Sequence, residues 1–291
     1  MRQDVADTRI VAATAAPITF TSIDHEGEPT TPTGTVTVAV VDSQGDAVTA
    51  GAVSTTGNVS TSTLPIASTS SVDRLTATWT DDGTEVATTV HDVVGGVYAT
   101  TTHIRDIVGV LDNATKWDAT DVKRVRNEIE YIIEMVTCRA FVPRFDVAHL
   151  DGTGSECLSL PHPDLRSVVW AKYHNGSAWV PVTGTVSEIQ PDNAGTASFL
   201  SGSTWPTAPL RIGYRHGRDR PPADLVAAAA KFVKYRLASV KSGIPDRAIS
   251  IQGTELGNIT IATPGLGPWT SGVPDVDSII NHYRWKRPVL A

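Results

Sequence analysis

The sequence predicts a two-domain protein: an all-β sandwich over residues 1–103, then an α+β domain over residues 104–291 with a helical core and β hairpins. Three observations predict it. At 291 residues the chain has room for two domains of about 150 residues each. Apolar residues alternate before Tyr98 and recur at three- and four-residue steps after it. Charge changes at the same place. Residues 1–103 hold three basic and twelve acidic side chains, a balance of −9, whereas residues 104–291 hold 21 and 19, a balance of +2. So sharp a shift marks a boundary. The acidic first half would also repel a DNA backbone.

Thr35 to Val41 alternates, with Val36, Val38 and Val40 on one face. A turn at Ser43-Gln44-Gly45-Asp46 follows. Val72 to Thr80 places Leu75, Ala77 and Trp79 on one face, and Asp81-Asp82-Gly83 closes a hairpin onto Glu85 to His91. Val97 to Thr100 reads as a last strand behind Gly95-Gly96. The Ser/Thr-rich stretch Ser54 to Ser71 reads as surface strands and loops, because Val59, Leu64 and Ile66 punctuate it. Short strands between turn signals indicate a sandwich.

Ile104 to Leu111 is a short helix candidate. Asp118 to Asp121 is an N-cap cluster that opens a longer helix, Val122 to about Cys138, with Val122, Val125, Ile129, Ile132, Ile133 and Val136 on one face. Asp151 to Gly154 reads as a hairpin turn, and Cys157 to Leu160 as a strand. Arg166 to Tyr173 and Ser177 to Val182 pair around Asn175-Gly176, the strongest short hairpin signal. Leu210 to Tyr214 is a further strand. The clearest helix is Pro221 to Ser242: prolines at its entry, Asp224 in its first turn, and the Ala227 to Ala230 run. Ile244 to Ile261 reads as irregular or β, and Thr263 to Gly272 as a Gly/Pro-rich loop. Pro274 opens a C-terminal helix with Val276, Ile279, Ile280 and Tyr283 as its apolar stripe.

Cys138 and Cys157 are too few for a disulfide framework and read as free thiols. No signal peptide and no membrane span is read, so the product is expected in the cytosol where it is made. A phosphate-binding loop, a nucleophile elbow and a zinc-protease motif are all missing. Gly152-Thr153-Gly154 lacks the third glycine and the following helix of a dinucleotide loop. Cys138, His149, Cys157 and His162 are too widely spaced for a structural zinc site, which starts from tight pairs. No catalytic residue, cofactor or metal is therefore expected. His282, Arg284, Lys286 and Arg287, interleaved with Tyr283 and Trp285, form a basic end suited to an acidic partner or a phosphate backbone.

The second half carries an ordered set of motifs. Ala140-Phe-Val-Pro-Arg144 leads to Leu150-Asp-Gly-Thr-Gly154 and Leu158-Ser-Leu-Pro161. Tyr214-Arg-His-Gly217 leads to Pro221-Pro222-Ala-Asp-Leu225, then Ile244-Pro-Asp-Arg-Ala248, Thr263-Pro-Gly265 and Val273-Pro-Asp-Val276. This order resembles the head-to-tail connector proteins (adaptor or head-completion proteins) of tailed bacteriophages, in the form met in actinobacterial phages. The resemblance implies a non-enzymatic virion protein whose copies form a ring, usually twelve-fold, below the portal. Such a ring extends the channel for double-stranded DNA without reading its sequence, and it offers a platform to stopper and tail-completion proteins. By the same resemblance, an arm and helix over residues 263–291 would supply portal or assembly contacts from Val276, Ile279, Ile280, Tyr283, Arg284, Trp285, Lys286 and Arg287. Lys231, Lys234 and Lys241 would face the channel or a neighbouring subunit. The first hundred residues resemble an immunoglobulin-like module of the kind grafted onto virion proteins, without a Cys–Trp–Cys hallmark. The alternative is a surface or secreted binding protein, an adhesin or carbohydrate binder without catalysis.

Overall fold

The computed structural model describes residues 8–182, 186–241, 250–253, 257–260 and 271–285. The arm over residues 263–270, Lys286 and Arg287 lie outside them, as does most of Ile244 to Ile261. The fold is mixed α/β, with five sheets and four α-helices among the described residues. It divides into two compact units, each built from two stretches of chain. Residues 1–96 group with 142–219, and residues 97–141 group with 220–291.

The first unit begins with eight strands: β1 (Thr8–Val11), β2 (Ala16–Thr21), β3 (Val36–Val41), β4 (Ala47–Val48), β5 (Ser54–Thr56), β6 (Val59–Leu64), β7 (Asp73–Asp81) and β8 (Thr84–Val94). They form a five-stranded sheet of order β1-β8-β7-β3-β4 and a three-stranded sheet of order β2-β6-β5. Both sheets feed one core, in which Ile18, Leu64, Ala77 and Trp79 are fully buried. The Trp79 ring stacks on Phe20 with centroids 5.8 Å apart, and its Nε1 donates to Thr89 Oγ1 at 3.1 Å. The β7–β8 hairpin turns on Asp82 and Gly83, both at positive φ (47° and 81°), the conformation that a two-residue type I′ turn requires.

Residues 142–219 build two further sheets around a core of their own, so the β structure of the second half is more than hairpins set on helices. The strands are β9 (Arg144–Asp151), β10 (Cys157–Ser159), β11 (Leu165–His174), β12 (Trp179–Pro181), β13 (Ile189–Pro191), β14 (Thr196–Phe199) and β15 (Pro209–His216). Their orders are β12-β11-β15-β9 and β10-β14-β13. The Asn175-Gly176 turn joins β11 to β12, with Gly176 at φ 99° and Asn175 Oδ1 accepting from the Ser177 and Ala178 amides. The Asp151 to Gly154 turn is not a hairpin, because β9 and β10 belong to different sheets.

The second unit holds α1 (Thr101–Val108), α2 (Ala119–Thr137), α3 (Ala223–Lys241) and α4 (Pro274–His282). A short antiparallel pair, β16 (Ser250–Gly253) with β17 (Gly257–Thr260), lies between α3 and α4 in sequence. Asp118 caps α2 by accepting from the Thr120 amide at 3.0 Å. The Val122, Val125, Ile129 and Ile133 stripe is buried. The strand expected over Val97 to Thr100 is instead the entry to α1. The Thr100 hydroxyl accepts from the His103 amide, meeting one of the orphan donors of a helix start. The Tyr98 amide donates to Glu130 Oε1 at 2.7 Å rather than to a ladder. Glu130 is 1% exposed, and the Arg126 guanidinium stands 3.8 Å from the same oxygen. A buried carboxylate requires such a partner.

Two glycines test the packing of the first unit. A Cβ at Gly152 would collide with the Pro206 carbonyl oxygen, whereas one at Gly96 would meet only Val142 Cγ1 at 3.9 Å. Gly152→Ala is expected to cost about 1–3 kcal/mol by overpacking against backbone. Gly96→Ala should stay within roughly 0.5 kcal/mol of the parent. Urea unfolding midpoints check the pair; equal midpoints would contradict the contact.

Candidate functional site

Two places in the molecule concentrate side chains beyond what the cores need. The first is the outer surface of the helical unit. Val276 and Ile280 of α4 are buried, Ile279 is half-buried, and α4 packs on α3 and α2. The Tyr283 hydroxyl donates to the Asp224 carboxylate, 2.9 and 3.0 Å from its two oxygens, and its ring meets Phe141 edge-on at 5.6 Å. The Trp285 amide donates to the Thr137 carbonyl at 2.8 Å. These groups tie the C-terminal helix to its own unit, and Arg284 remains exposed. Lys231 is exposed, Lys234 is half-buried with its ammonium 5.8 Å from the Tyr235 ring, and Lys241 closes α3. Arg236 of α3 bridges to Glu128 of α2 at 2.9 Å.

The helical unit also exposes apolar groups that the motif reading passed over: Tyr131 (42% exposed) and Met135 (57%) on α2, and Tyr235 (47%) on α3. Tyr131 and Met135 are four residues apart, so they share a face. At roughly 100° per residue, Tyr131 lies about 200° around the helix from the buried Ile129. That offset is legible in the sequence once the buried stripe is set at Val122, Val125, Ile129 and Ile133.

The second place is on the sheet of β9 and β15. Tyr214 pairs with Asp146, and His216 with Arg144. Residues two apart on a strand share a face, so all four side chains rise from one side of the sheet. The Leu160–Asp164 loop adds His162, held between Pro161 and Pro163. The Leu160 amide ties this loop to the Gly195 carbonyl at 2.8 Å. His162 Nδ1 lies 2.7 Å from the Tyr214 hydroxyl and 3.5 Å from Asp146 Oδ2. Its ring stacks on His216, with centroids 4.3 Å apart and planes 10° from parallel. His216 is 5% exposed, and its Nδ1 has no hydrogen-bond partner among the described residues. Burial first, then the neighbouring His162 and Arg144, hold the pKa of His216 well below the ordinary histidine value, so the ring is neutral. The zinc search on sequence tried His162 with Cys138, His149 and Cys157. Its companions are Asp146 and His216, which strand register brings together and sequence spacing does not reveal.

A polar cleft of about 850 Å³ also opens in the first unit, lined in part by Ser71, Asp164, Arg166, Arg215, Arg218 and Asp219. Its charges are mutually paired: Arg166 with Asp219 at 2.6 Å, Arg218 with Asp164 at 3.7 Å. The Arg215 Nε donates to the Val72 carbonyl at 2.8 Å, and Trp170 Nε1 to Ser43 Oγ at 3.1 Å, linking the two β bodies of this unit.

No family model and no curated protein matches the chain. Among solved structures, a chain in the virion of a native gene transfer agent particle is similar over 67% of this chain and 93% of its own, at 13% identity and a TM-score of 0.45. A ZIG-8–RIG-5 immunoglobulin-domain heterodimer is similar over 32% of this chain and 86% of its own, at 17% identity and a TM-score of 0.22. Among the described residues no helix is long and apolar enough to cross a membrane.

Asp73 gives a pH test of the junction between the β bodies. Burial raises its pKa above the ordinary 3.8, against the opposing pull of Ser43, the Arg74 amide and Arg215. The folded state therefore keeps a proton that the unfolded chain releases. That contribution to stability is complete below the unfolded pKa and is lost as pH rises through the folded one. Asp73→Asn should gain on the parent as pH rises from about 3 to about 7, read from urea unfolding across that range. Parallel profiles would contradict the buried carboxyl.

Proposed function

We propose that the chain is a structural, non-catalytic subunit of a phage-type virion, a head-to-tail connector. Residues 104–291 make its assembling part, and residues 1–103 are an immunoglobulin-like module displayed on the outside of the neck. Copies form a ring, twelve-fold as is usual in the family it resembles, below the portal. The ring carries double-stranded DNA through its channel without reading it and receives the stopper. The observation that carries this reading is the outward pair Tyr131 and Met135 on the face of α2 opposite its buried stripe. Large apolar side chains grouped on a surface mark contact sites, and Tyr and Met are enriched in interface cores. The ordered motifs of the second half add the kind of assembly.

On this reading the residues divide the work between the fold and its contacts. Val276, Ile280 and Tyr283 serve the helical unit itself, so contacts to the portal fall to Ile279, Arg284, Lys286 and Arg287. Tyr131, Met135 and Tyr235, with Lys231 and Lys234, serve the contact between neighbouring copies. Removing residues 273–291 would therefore damage the helical unit as well as docking. Point changes on the outward face separate the two effects. The double variant Tyr131→Asp, Met135→Asp should keep the parent circular dichroism yet lose ring formation on purified portal, scored by negative-stain microscopy. Rings formed as readily as by the parent would overturn the reading.

A further inference from the structure

We infer that Asp146, His162 and His216 form a binding site for one divalent transition-metal ion of the zinc class. One ring nitrogen of each histidine and one Asp146 oxygen lie within 4.8 Å of one another. Two imidazoles and a carboxylate are a donor set that zinc and its first-row neighbours accept, with a further position open to water. The site is independent of the assembly surface, which lies on the other unit.

Two features of the cluster favour an ion. His216 is buried with Nδ1 unpartnered among the described residues, and leaving a buried polar atom without a partner is destabilising. Such an atom in a folded protein calls for an explanation, and a bound water or ion is a common one. Asp146 supplies a carboxylate 3.5 Å from His162 Nδ1, and its side chain is 26% exposed, so the ion has a route in from solvent.

Two features oppose it, and they set the form of the site. The parallel His162–His216 stack keeps the in-plane lone pairs of the two rings in separate, nearly parallel planes, so His162 must turn out of the stack to converge. Its side chain is 29% exposed and sits on a loop, which permits the turn. In turning, it exchanges the Tyr214 hydroxyl for the ion. Arg144 lies cross-strand from His216 and repels a cation, which holds affinity below that of a closed structural zinc site. Bound there, the ion would fasten the Leu160–Asp164 loop to the β9–β15 pair and so stabilise the first unit by mass action.

Cobalt(II) chloride added to the metal-free full-length chain is the direct probe, followed by visible d–d absorption and displaced with zinc chloride. One cobalt per chain is expected. His162→Gln and Asp146→Asn, both at partly exposed positions, should each weaken binding by about tenfold or more. His149→Gln, an exposed histidine on the opposite face of β9, should leave it unchanged. Far-ultraviolet circular dichroism confirms that each variant is folded. Lack of saturable uptake by the parent overturns the inference. So does uptake that survives the combined His162→Gln, Asp146→Asn variant.

Discussion

The hydrogen bonding of β15 on both of its edges is the constraint on which the β structure of residues 142–219 depends. β9 runs along one side and β11 along the other, both antiparallel, so every side chain of β15 is committed to one face or the other. Leu210, Ile212, Tyr214 and His216 are all buried. On the other face, Gly213 has to be glycine, because a Cβ there would strike the Trp170 ring. The register in turn places Tyr214 beside Asp146 and His216 beside Arg144. The polar cluster is thus a product of strand pairing, not of any local motif. A one-residue slip would send Tyr214 and His216 to the opposite face and dissolve the cluster.

Local chemistry was legible wherever a short stretch decides the outcome. Asp82-Gly83 turns its hairpin because both residues accept positive φ, and Asn175-Gly176 does so through Gly176 at positive φ and the Asn175 side chain holding the Ser177 and Ala178 amides. Asp118 starts α2, and the two prolines before Ala223 mark the start of α3. Thr100 shows where such reading fails. Its β-branched neighbourhood favours a strand, but a helix N-cap and the buried Glu130, 32 positions from the Tyr98 amide it accepts from, claim the backbone. The grouping of residues 142–219 with 1–96 is likewise a matter of long-range contacts. The Gly95 amide donating to the Pro143 carbonyl at 2.9 Å is one of them, and no periodicity encodes it.

The candidate sites divide in the same way. The C-terminal stripe of Val276, Ile280 and Tyr283 was readable as amphipathic, but amphipathicity does not say what covers the apolar face. Here the chain's own helices do. Tyr131 and Met135 were present in the pattern as residues off the stripe, and they gain meaning only once the stripe is seen to be buried. His162 was visible, but its companions were not. Spacing rules for metal sites describe ligands on one turn or one helix, whereas these three come from a strand, a loop and a second strand.

A ring of copies joined through the outward face of α2 is the central functional claim, and it makes a demand on real particles. A cryo-electron microscopy reconstruction of the neck of a virion containing this chain tests it most directly. The ring reading predicts a closed ring of copies below the portal, with Tyr131 and Met135 of each copy packed against its neighbour. Particles without the chain at the neck, or copies there whose α2 face is bathed in solvent, would contradict it.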